Sequence, residues 1–136
     1  MERLVSILLA AALFAAPALA EGPRSVSVMD YGATGDGETD DTDAIQAALD
    51  AVGSNGVVHV PAGEYLLSDS LVIPGGVFLQ GEGARWQSRA ARLIIRENGF
   101  PGIRMGHGSG VKGFGISYPE NQNNASPEAY PPAIQL

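Results

Sequence analysis

The chain has 136 residues, of which 18 are glycine and 9 are proline, and it carries a net charge of -7 and no cysteine. The negative charge argues against a nucleic-acid partner, and the absence of cysteine excludes disulfides as a source of stability. A chain of this length holds one ordinary domain or part of a larger one, and it then needs a sizeable core or a stack of repeated short elements.

The first twenty residues have the pattern of a secretory signal peptide. Arg3 gives a basic start, residues 4–16 are apolar, and Ala18-Leu19-Ala20 is a small-residue cleavage signature. The apolar run is too short for a typical membrane span, and no later segment approaches the length that a span needs. We therefore expect cleavage after Ala20 and a secreted or periplasmic protein without a membrane span.

A short strand, an acidic loop and a helix follow. Residues 25–29 alternate polar and apolar side chains, which predicts a strand with one buried face. Residues 30–38 contain closely spaced glycines that favour turns. Thr39 or Asp40 is the predicted N-cap of the helix, and Gly53 is its predicted left-handed C-cap.

One face of the predicted helix is apolar. Ile45, Ala48, Leu49 and Val52 follow the i, i+3, i+4, i+7 pattern of an amphipathic helix. A helix of about three turns is marginal in isolation, so this face is expected to cover another element.

The rest of the chain consists of short apolar runs that glycine- and proline-rich turns separate. The runs are 57–60, 65–67, 71–73, 77–79, 93–95, 103–105, 111–116 and 133–136. They predict an all-β domain of short strands, either a sandwich or a solenoid. Val58, Val77, Leu93 and Val111 recur at an irregular interval of 19, 16 and 18 residues, which favours the solenoid.

Several blocks of the sequence form a specific pattern when they are taken in order. They are DYGA at 30–33, GDG at 35–37, TDDT at 39–42, AIQAA at 44–48, VHVPAGEY at 58–65 and GVFLQGEG at 76–83. Together they resemble the amino-terminal signature of the pectate-lyase-like superfamily, most closely proteins of the polygalacturonase and rhamnogalacturonase type (family-28 glycoside hydrolases). The resemblance implies an all-β fold, a right-handed single-stranded parallel β-helix with a short amphipathic capping helix.

The resemblance also divides the chain into parts. Residues 1–20 are the signal peptide, residues 21–56 form the amino-terminal strand, acidic loop and capping helix, and residues 57–136 form the first rungs of the β-helix. The apolar face of the helix would close the end of the solenoid, where the core is otherwise exposed. Members of the superfamily are several hundred residues long and carry catalytic carboxylates on later rungs, so we expect a truncated chain and assign no catalytic residue.

The function that the resemblance implies is action on an acidic polysaccharide such as pectin. For the full-length form, hydrolysis by paired aspartates is the first expectation and β-elimination of the pectate-lyase type is an alternative. A non-catalytic, glycan-binding or tailspike-like β-helix is a further alternative. Whether the protein is an enzyme is left open, and the chain alone is expected to be inactive.

The densest group of carboxylates comprises Asp36, Asp40 and Asp41. Two carboxylates are the groups that glycoside hydrolysis needs, but turn formation and helix capping account for all three aspartates. The run also begins like an EF-hand loop, although Asp41 stands where that loop requires glycine and Ala47 where it requires glutamate. We therefore predict no cofactor and leave open a calcium site of another geometry.

Tyr118 and Glu120 are the predicted sugar-contacting residues. A tyrosine ring stacks on the face of a pyranose, and the polar side chains that follow at 121–124 bind hydroxyl groups. A polar loop that leaves the solenoid between rungs, without a ligand, also accounts for these residues and is the favoured interpretation.

The remaining charged and titratable side chains allow two interpretations. Residues 85–112 contain six bases and one acid, so this segment either faces an anionic ligand or is an ordinary solvated surface. His59 alternates with Val58 and Val60 and is expected to point outward from a strand. His59 and His107 have no partner at the spacing of metal ligands.

Overall fold

A computed structural model describes residues 22–83, 90–96, 99–119 and 132–136. The predicted signal peptide at 1–20 and the predicted sugar contact Glu120 lie outside these residues. The described elements are β1 (Ser25–Ser27), a 3-10 helix (Val28–Tyr31), β2 (Asp36–Asp40), α1 (Thr42–Ala51), β3 (Val57–Val60), β4 (Gly63–Leu67), β5 (Leu71–Ile73), β6 (Phe78–Gly81), β7 (Ala91–Ile95), β8 (Ile103–Met105), β9 (Gly110–Lys112), β10 (Phe114–Ser117) and β11 (Ile134–Gln135).

The strands form three parallel sheets. Sheet A has the order β1-β3-β6-β9, sheet B the order β2-β4-β7-β10, and sheet C the order β5-β8-β11. Every pairing is parallel, and from β3 onward the chain visits sheets A, B and C in turn. Winding of this kind is a three-sided β-helix. The predicted all-β class and parallel β-helix are therefore confirmed.

The predicted rung interval was wrong although the fold was right. Val58 pairs with Leu79, and Leu79 pairs with Val111, so successive turns on sheet A are 21 and 32 residues apart. Val77 lies in the turn before β6, and Leu93 lies on sheet B. The four residues that recur at similar intervals are therefore not equivalent positions, because turns of different length connect the strands.

The core is a set of apolar rows that run along the axis of the solenoid. Alternate side chains of each strand point inward, and the strands are in register, so each inward residue stacks on its neighbours in the next turns. The rows are Val26-Val58-Leu79-Val111 on sheet A, Tyr65-Leu93-Ile116 on sheet B and Leu71-Ile103 on sheet C, whose next residue, Ile134, is exposed. Burial of each large side chain contributes about 1.5–3 kcal/mol.

Helix α1 covers the first turn of the solenoid, as the sequence predicts. Ile45, Ala48 and Leu49 are fully buried, and Val52 is 7% exposed. The caps differ from the prediction: the N-cap is Asp41, and the C-cap is Val52 with an extended backbone. Extended backbone continues through Asp40 at the end of β2 and delays the helix, so the predicted N-cap at Thr39 or Asp40 was wrong.

The predicted left-handed C-cap at Gly53 was wrong as well. Gly53 is not among the described residues with a positive φ angle. Its N–H instead donates to the carbonyl oxygen of Pro23 at 3.1 Å. This hydrogen bond connects the end of the helix to the segment that precedes β1, and the helix ends without a left-handed residue at Gly53.

A side chain of α1 occupies the edge of sheet C. Sheets A and B begin with β1 and β2, which precede the helix, whereas the first described strand of sheet C is β5, at the edge beside the helix. The Gln46 amide nitrogen donates to the Val72 carbonyl oxygen at 3.0 Å, and its amide oxygen accepts from the Val72 N–H at 2.9 Å. The amide of Gln46 thus pairs with β5 as the peptide group of a neighbouring strand would.

The acidic loop contains one element that the sequence did not predict. The glycine-spaced loop through residue 38 was expected to turn, with Thr39 or Asp40 capping the helix, but Asp36–Asp40 form β2, which pairs with β4 in an irregular register. In the part of the chain that the structure describes, no helix has the length and apolar character of a membrane span.

Candidate functional site

The carboxylates of the acidic loop shape the loop itself. Asp36 accepts hydrogen bonds from the N–H groups of Glu38 at 2.9 Å and Thr39 at 2.8 Å, and from the Thr39 hydroxyl at 2.8 Å. These bonds lower the pKa of Asp36 to about 2. Hydrogen bonds from the hydroxyls of Ser68 and Thr42 likewise lower the pKa of Asp40. Both carboxylates are therefore stabilised in their ionised form by hydrogen bonds from nearby backbone N–H and hydroxyl groups.

Asp41 joins the loop to the start of the helix. Its side chain is almost completely buried, with 1% exposed. One oxygen accepts from the Thr34 N–H at 2.7 Å and the other from the Gly35 N–H at 3.0 Å. The three aspartates make structural hydrogen bonds within the loop, but the predicted capping by a side chain is wrong for Asp41, which braces the preceding loop and does not cap the helix.

Tyr118 follows β10 and packs against the core. It is half-buried, and its hydroxyl oxygen is shielded from solvent near Gly102, which precedes β8. Burial raises the pKa of Tyr118, and a hydrogen bond with the backbone of Gly102 partly opposes this rise. The hydroxyl therefore faces protein backbone, and sugar contact by Tyr118 stays a prediction.

The basic segment does not form one surface among the described residues. The Arg92 guanidinium pairs with the Glu64 carboxylate at 2.9 Å on sheet B, and the Arg96 guanidinium donates to the Gly37 carbonyl oxygen at 3.2 Å. Arg104 is exposed on sheet C and Lys112 on sheet A. The bases are thus distributed over three faces of the solenoid, which favours the interpretation as ordinary solvated surface for most of them.

The outer face of sheet A carries a row of polar side chains in register. Ser27 pairs with His59, His59 with Gln80, and Gln80 with Lys112. His59 and Lys112 are exposed, and Ser27 and Gln80 are half-buried, so His59 points outward as predicted. Neighbouring strands lie about 4.8 Å apart, so the row spans roughly 14 Å along the axis of the solenoid. All four side chains can donate hydrogen bonds to an oxygen-rich ligand.

A cleft lies where β3 and β6 end, beside this row. Its volume is about 310 Å³, and it is lined by His59, Val60, Pro61, Gln80, Gly81 and Glu82. One Glu82 oxygen accepts from the Ala62 N–H at 3.3 Å. Histidine transfers protons near neutral pH, and the amide of Gln80 and the carboxylate of Glu82 bind hydroxyl groups. This cleft is the candidate functional site.

Sequence reasoning placed His59 on the outside of a strand but did not find the row. The row is hidden in the sequence because the turns that separate its members differ in length. The signal that was present is the repeated pattern of a buried residue followed by a polar one, as in Val26-Ser27, Val58-His59, Leu79-Gln80 and Val111-Lys112. In the described structure, the sequence-predicted Tyr118 lies against Gly102, and it is not among the residues that line the cleft.

The fold and its polar outer face define a class, the capped parallel β-helix proteins of the pectate-lyase-like type. Residues 25–125 match the family model described as "Rhamnogalacturonase A/epimerase, pectate lyase-like". The chain belongs to this family, and the predicted resemblance is confirmed.

Proteins whose names denote different activities are similar to this chain in sequence. Alginate lyase 7 of Azotobacter vinelandii is 35% identical over 120 residues, which cover 75% of this chain and 13% of that protein. "Probable rhamnogalacturonase A" of Aspergillus niger is 30% identical over 101 residues, which cover 70% of this chain and 23% of that protein. The tail spike protein of Shigella phage Sf6 is 41% identical over 74 residues, which cover 49% of this chain and 12% of that protein. The chain spans less than a quarter of each of these relatives.

A solved structure supports the same assignment. The A-module of mannuronan C-5 epimerase AlgE4 of Azotobacter vinelandii superposes with a TM-score of 0.57 at 28% identity, covering 68% of this chain and 29% of that module. The protein therefore shares its β-helix with relatives that are named for action on alginate and rhamnogalacturonan.

Proposed function

We propose that this protein acts on an acidic, uronate-containing polysaccharide and that the outer face of sheet A, with the cleft at His59, binds the polymer. The observation that carries the proposal is the row of hydrogen-bond donors from Ser27 to Lys112. Its step of about 4.8 Å per strand is comparable to the advance of a 1,4-linked polysaccharide per sugar. A polymer that lies along the axis of the solenoid would therefore meet successive donors with successive sugars.

The relatives support the substrate class. Those named for alginate, mannuronan and rhamnogalacturonan act on polymers that contain uronic acids. Lys112 and His59 are the basic side chains of the row, and a basic side chain suits a ligand carboxylate. Pectin, the substrate that the sequence predicts, is a polymer of the same kind.

The cleft bears on the type of reaction. Hydrolysis of a glycosidic bond by the usual route needs two carboxylates that flank the bond. Glu82 is the one carboxylate among the described residues that line the cleft. Elimination and epimerisation of a uronate instead begin with removal of the proton next to the carboxylate, for which a base such as His59 is suited. The cleft therefore favours elimination or epimerisation, and pectin hydrolysis by the full-length form rests on the resemblance alone.

The proposal is tested by binding assays on the chain without its predicted signal peptide, and by product assays on this chain and on a longer protein that contains it. We expect affinity electrophoresis to show retardation in gels that contain sodium alginate or polygalacturonate, and none in gels that contain neutral dextran. Unsaturated, ultraviolet-absorbing products would indicate elimination, a changed uronate composition by proton NMR would indicate epimerisation, and new reducing ends alone would indicate hydrolysis. We expect binding without turnover from this chain, and mobility that neither acidic polymer alters would refute the proposal.

A non-catalytic glycan-binding protein is the second candidate. The similarity to the Sf6 tail spike protein supports it, since that relative is named for a part of a phage particle and not for a reaction. Binding without any product, both from this chain and from a longer protein that contains it, would support this candidate over the enzyme.

Export is proposed from the first twenty residues. Amino-terminal sequencing of protein that is recovered from the medium or the periplasm should begin at Glu21. Protein that stays in the cytoplasm with Met1 intact would contradict the proposal.

A further inference from the structure

An aromatic ring lies next to the polar row on sheet A. Phe78 is 42% exposed although it is an apolar residue in a central strand of the sheet. It pairs with Gly110, and a Cβ atom at Gly110 would lie 2.6 Å from Cδ1 and 2.7 Å from Cε1 of the Phe78 ring. The ring therefore leans over Gly110 along the axis of the solenoid, into space that a side chain at this position would fill.

The ammonium group of Lys112 lies on the same face and has no partner among the described residues. No hydrogen bond or ion pair of Lys112 occurs in the described structure. Phe78 and Lys112 are diagonal neighbours: Lys112 is one strand and two residues away from Phe78. A step of about 4.8 Å across the strands and about 6.6 Å along them separates their Cα atoms by roughly 8 Å.

Phe78 and Lys112 are close enough to contact two different parts of one sugar, its ring face and its carboxylate. The C–H groups on one face of a pyranose form an apolar surface that packs on an aromatic ring. A uronate carries its carboxylate at the edge of the pyranose, where an ammonium group forms a charge-assisted hydrogen bond. A sugar that rests on Phe78 can therefore reach Lys112 with its carboxylate.

We infer that Phe78 and Lys112 form a subsite that binds one uronate residue, with Phe78 contacting the pyranose ring and Lys112 binding the carboxylate. Gly110 is a positioning residue because it leaves room for the ring. The inference rests on the proposed function and adds to it the residues that distinguish a uronate from a neutral sugar. Gln80, between His59 and Lys112 in the row, is placed to bind a hydroxyl group of the same sugar.

The acidic side chain nearest along the same strand is compatible with this subsite. Glu82 follows Gln80 by two residues, beyond the end of β6, and one of its oxygens is engaged by the Ala62 N–H. Glu82 therefore lies on the side of Gln80 that is away from Phe78. Lys112 is exposed, so its ammonium group is accessible from the solvent side of the sheet.

The test compares the affinities of variants for two forms of the same polymer, polygalacturonate and its carboxyl-reduced derivative, by calorimetry at low salt. Lys112→Met keeps the aliphatic stem and removes the charge, and we expect it to weaken binding to polygalacturonate about tenfold while binding to the reduced polymer is unchanged. Lys112→Arg should restore binding to within about threefold. Phe78→Ala should weaken binding to both polymers by a similar factor, about three- to tenfold.

Arg104→Met is the matched control, because Arg104 is exposed on sheet C and loses the same charge far from the row. If binding depended only on net charge, Arg104→Met and Lys112→Met would weaken it equally, and the inference would be wrong. Gly110→Ala keeps the Phe78 ring but displaces it, so it should reproduce the loss seen with Phe78→Ala, and unaltered affinity would contradict the role of the ring.

Failure of the subsite can be distinguished from failure of the proposed function. If the unaltered chain binds polygalacturonate and Lys112→Met binds it equally well, the subsite is refuted and the proposed function stands. If the unaltered chain binds neither polygalacturonate nor alginate, both are refuted. Circular dichroism spectra and thermal unfolding of each variant establish that the fold is intact, and the Lys112 variants are expected to match the unaltered chain because the Lys112 side chain makes no hydrogen bond or ion pair in the described fold.

Discussion

Replacement of Gln46 tests whether its side-chain amide takes the place of a strand at the edge of sheet C. Gln46 makes two hydrogen bonds to the backbone of Val72 and a third to the Asp50 carboxylate at 3.0 Å. A typical hydrogen bond contributes about 0.5–1.5 kcal/mol net, and these bonds are exposed to water, so Gln46→Ala should lower the free energy of unfolding by about 1–2 kcal/mol.

Gln46→Glu is the sharper variant because it changes one donor into an acceptor. A carboxylate at this position still accepts from the Val72 N–H, but its second oxygen faces the Val72 carbonyl and the Asp50 carboxylate. We expect it to cost about 2–3 kcal/mol at pH 7, more than the alanine variant, because two acceptors face each other without a proton. These contacts also raise the pKa of the introduced carboxyl group, so its penalty should disappear as the pH falls below the ordinary glutamate value of about 4.3.

Urea denaturation followed by circular dichroism, at pH 7 and at pH 4, measures these differences against the unaltered chain at the same pH. Gln80→Glu is the control, because Gln80 has no hydrogen-bond partner in the described structure, and it should change the free energy of unfolding by less than about 0.5 kcal/mol. If Gln46→Glu is no less stable than Gln80→Glu at pH 7, the amide does not stabilise the edge of the sheet. Sedimentation of Gln46→Ala should also reveal more self-association, because an uncovered strand edge pairs with other strands.

Three further predictions concern the cap and the core. Asp41→Asn should lower the free energy of unfolding by about 2–3 kcal/mol in chemical denaturation, because the buried carboxylate accepts a backbone N–H on each of its two oxygens and an amide has only one oxygen. Asp43→Asn, on the exposed first turn of the helix, is the control and should change the free energy of unfolding by less than about 0.5 kcal/mol. Burial, with Asp41 and Glu82 nearby, raises the pKa of Tyr65 to about 12. Because the unfolded chain releases this proton at a lower pH than the folded chain, the free energy of unfolding should fall between about pH 10 and about pH 12. Tyr65→Phe should lose that part of the decrease, and a pH profile identical to that of the unaltered chain would contradict the raised pKa. Gly81→Ala should cost about 2–3 kcal/mol because its Cβ would meet the backbone of the next turn, and Gly115→Ala, which has open space around it, should cost little in the same thermal-unfolding experiment.

Local patterns predicted most of the fold. The apolar stripe that includes Ile45 and Leu49 identified the capping helix, and the short apolar runs identified the strands, because burial on one side leaves a period in the sequence. Strand β2 was missed since its residues, DGETD, favour turns when they are considered alone. Pairing with β4 overrides this preference, and pairing partners distant in sequence are invisible to a local pattern.

The candidate site was harder to predict than the fold. Tyr118 and Glu120 were chosen for their chemistry within one loop, whereas the row from Ser27 to Lys112 brings together residues from four strands. Which residues share the row depends on which strand residues pair, and the unequal turns between the strands prevent these pairs from being found by counting along the sequence. For Asp36, Asp40 and Asp41, the sequence predicted hydrogen bonds within the loop because several of their partners lie a few residues away, whereas the bond from the Ser68 hydroxyl to Asp40 joins residues 28 positions apart.

The unequal turns have a consequence for how such a surface can vary. The step from His59 to Gln80 takes 21 residues and the step from Gln80 to Lys112 takes 32, yet each advances the outer face by one strand. Insertions and deletions in the turns therefore leave the spacing of the outward side chains unchanged. If the proposed function holds, the number of strands stacked in sheet A sets the number of sugars that the surface contacts, and the loops beside it can vary to select the polymer.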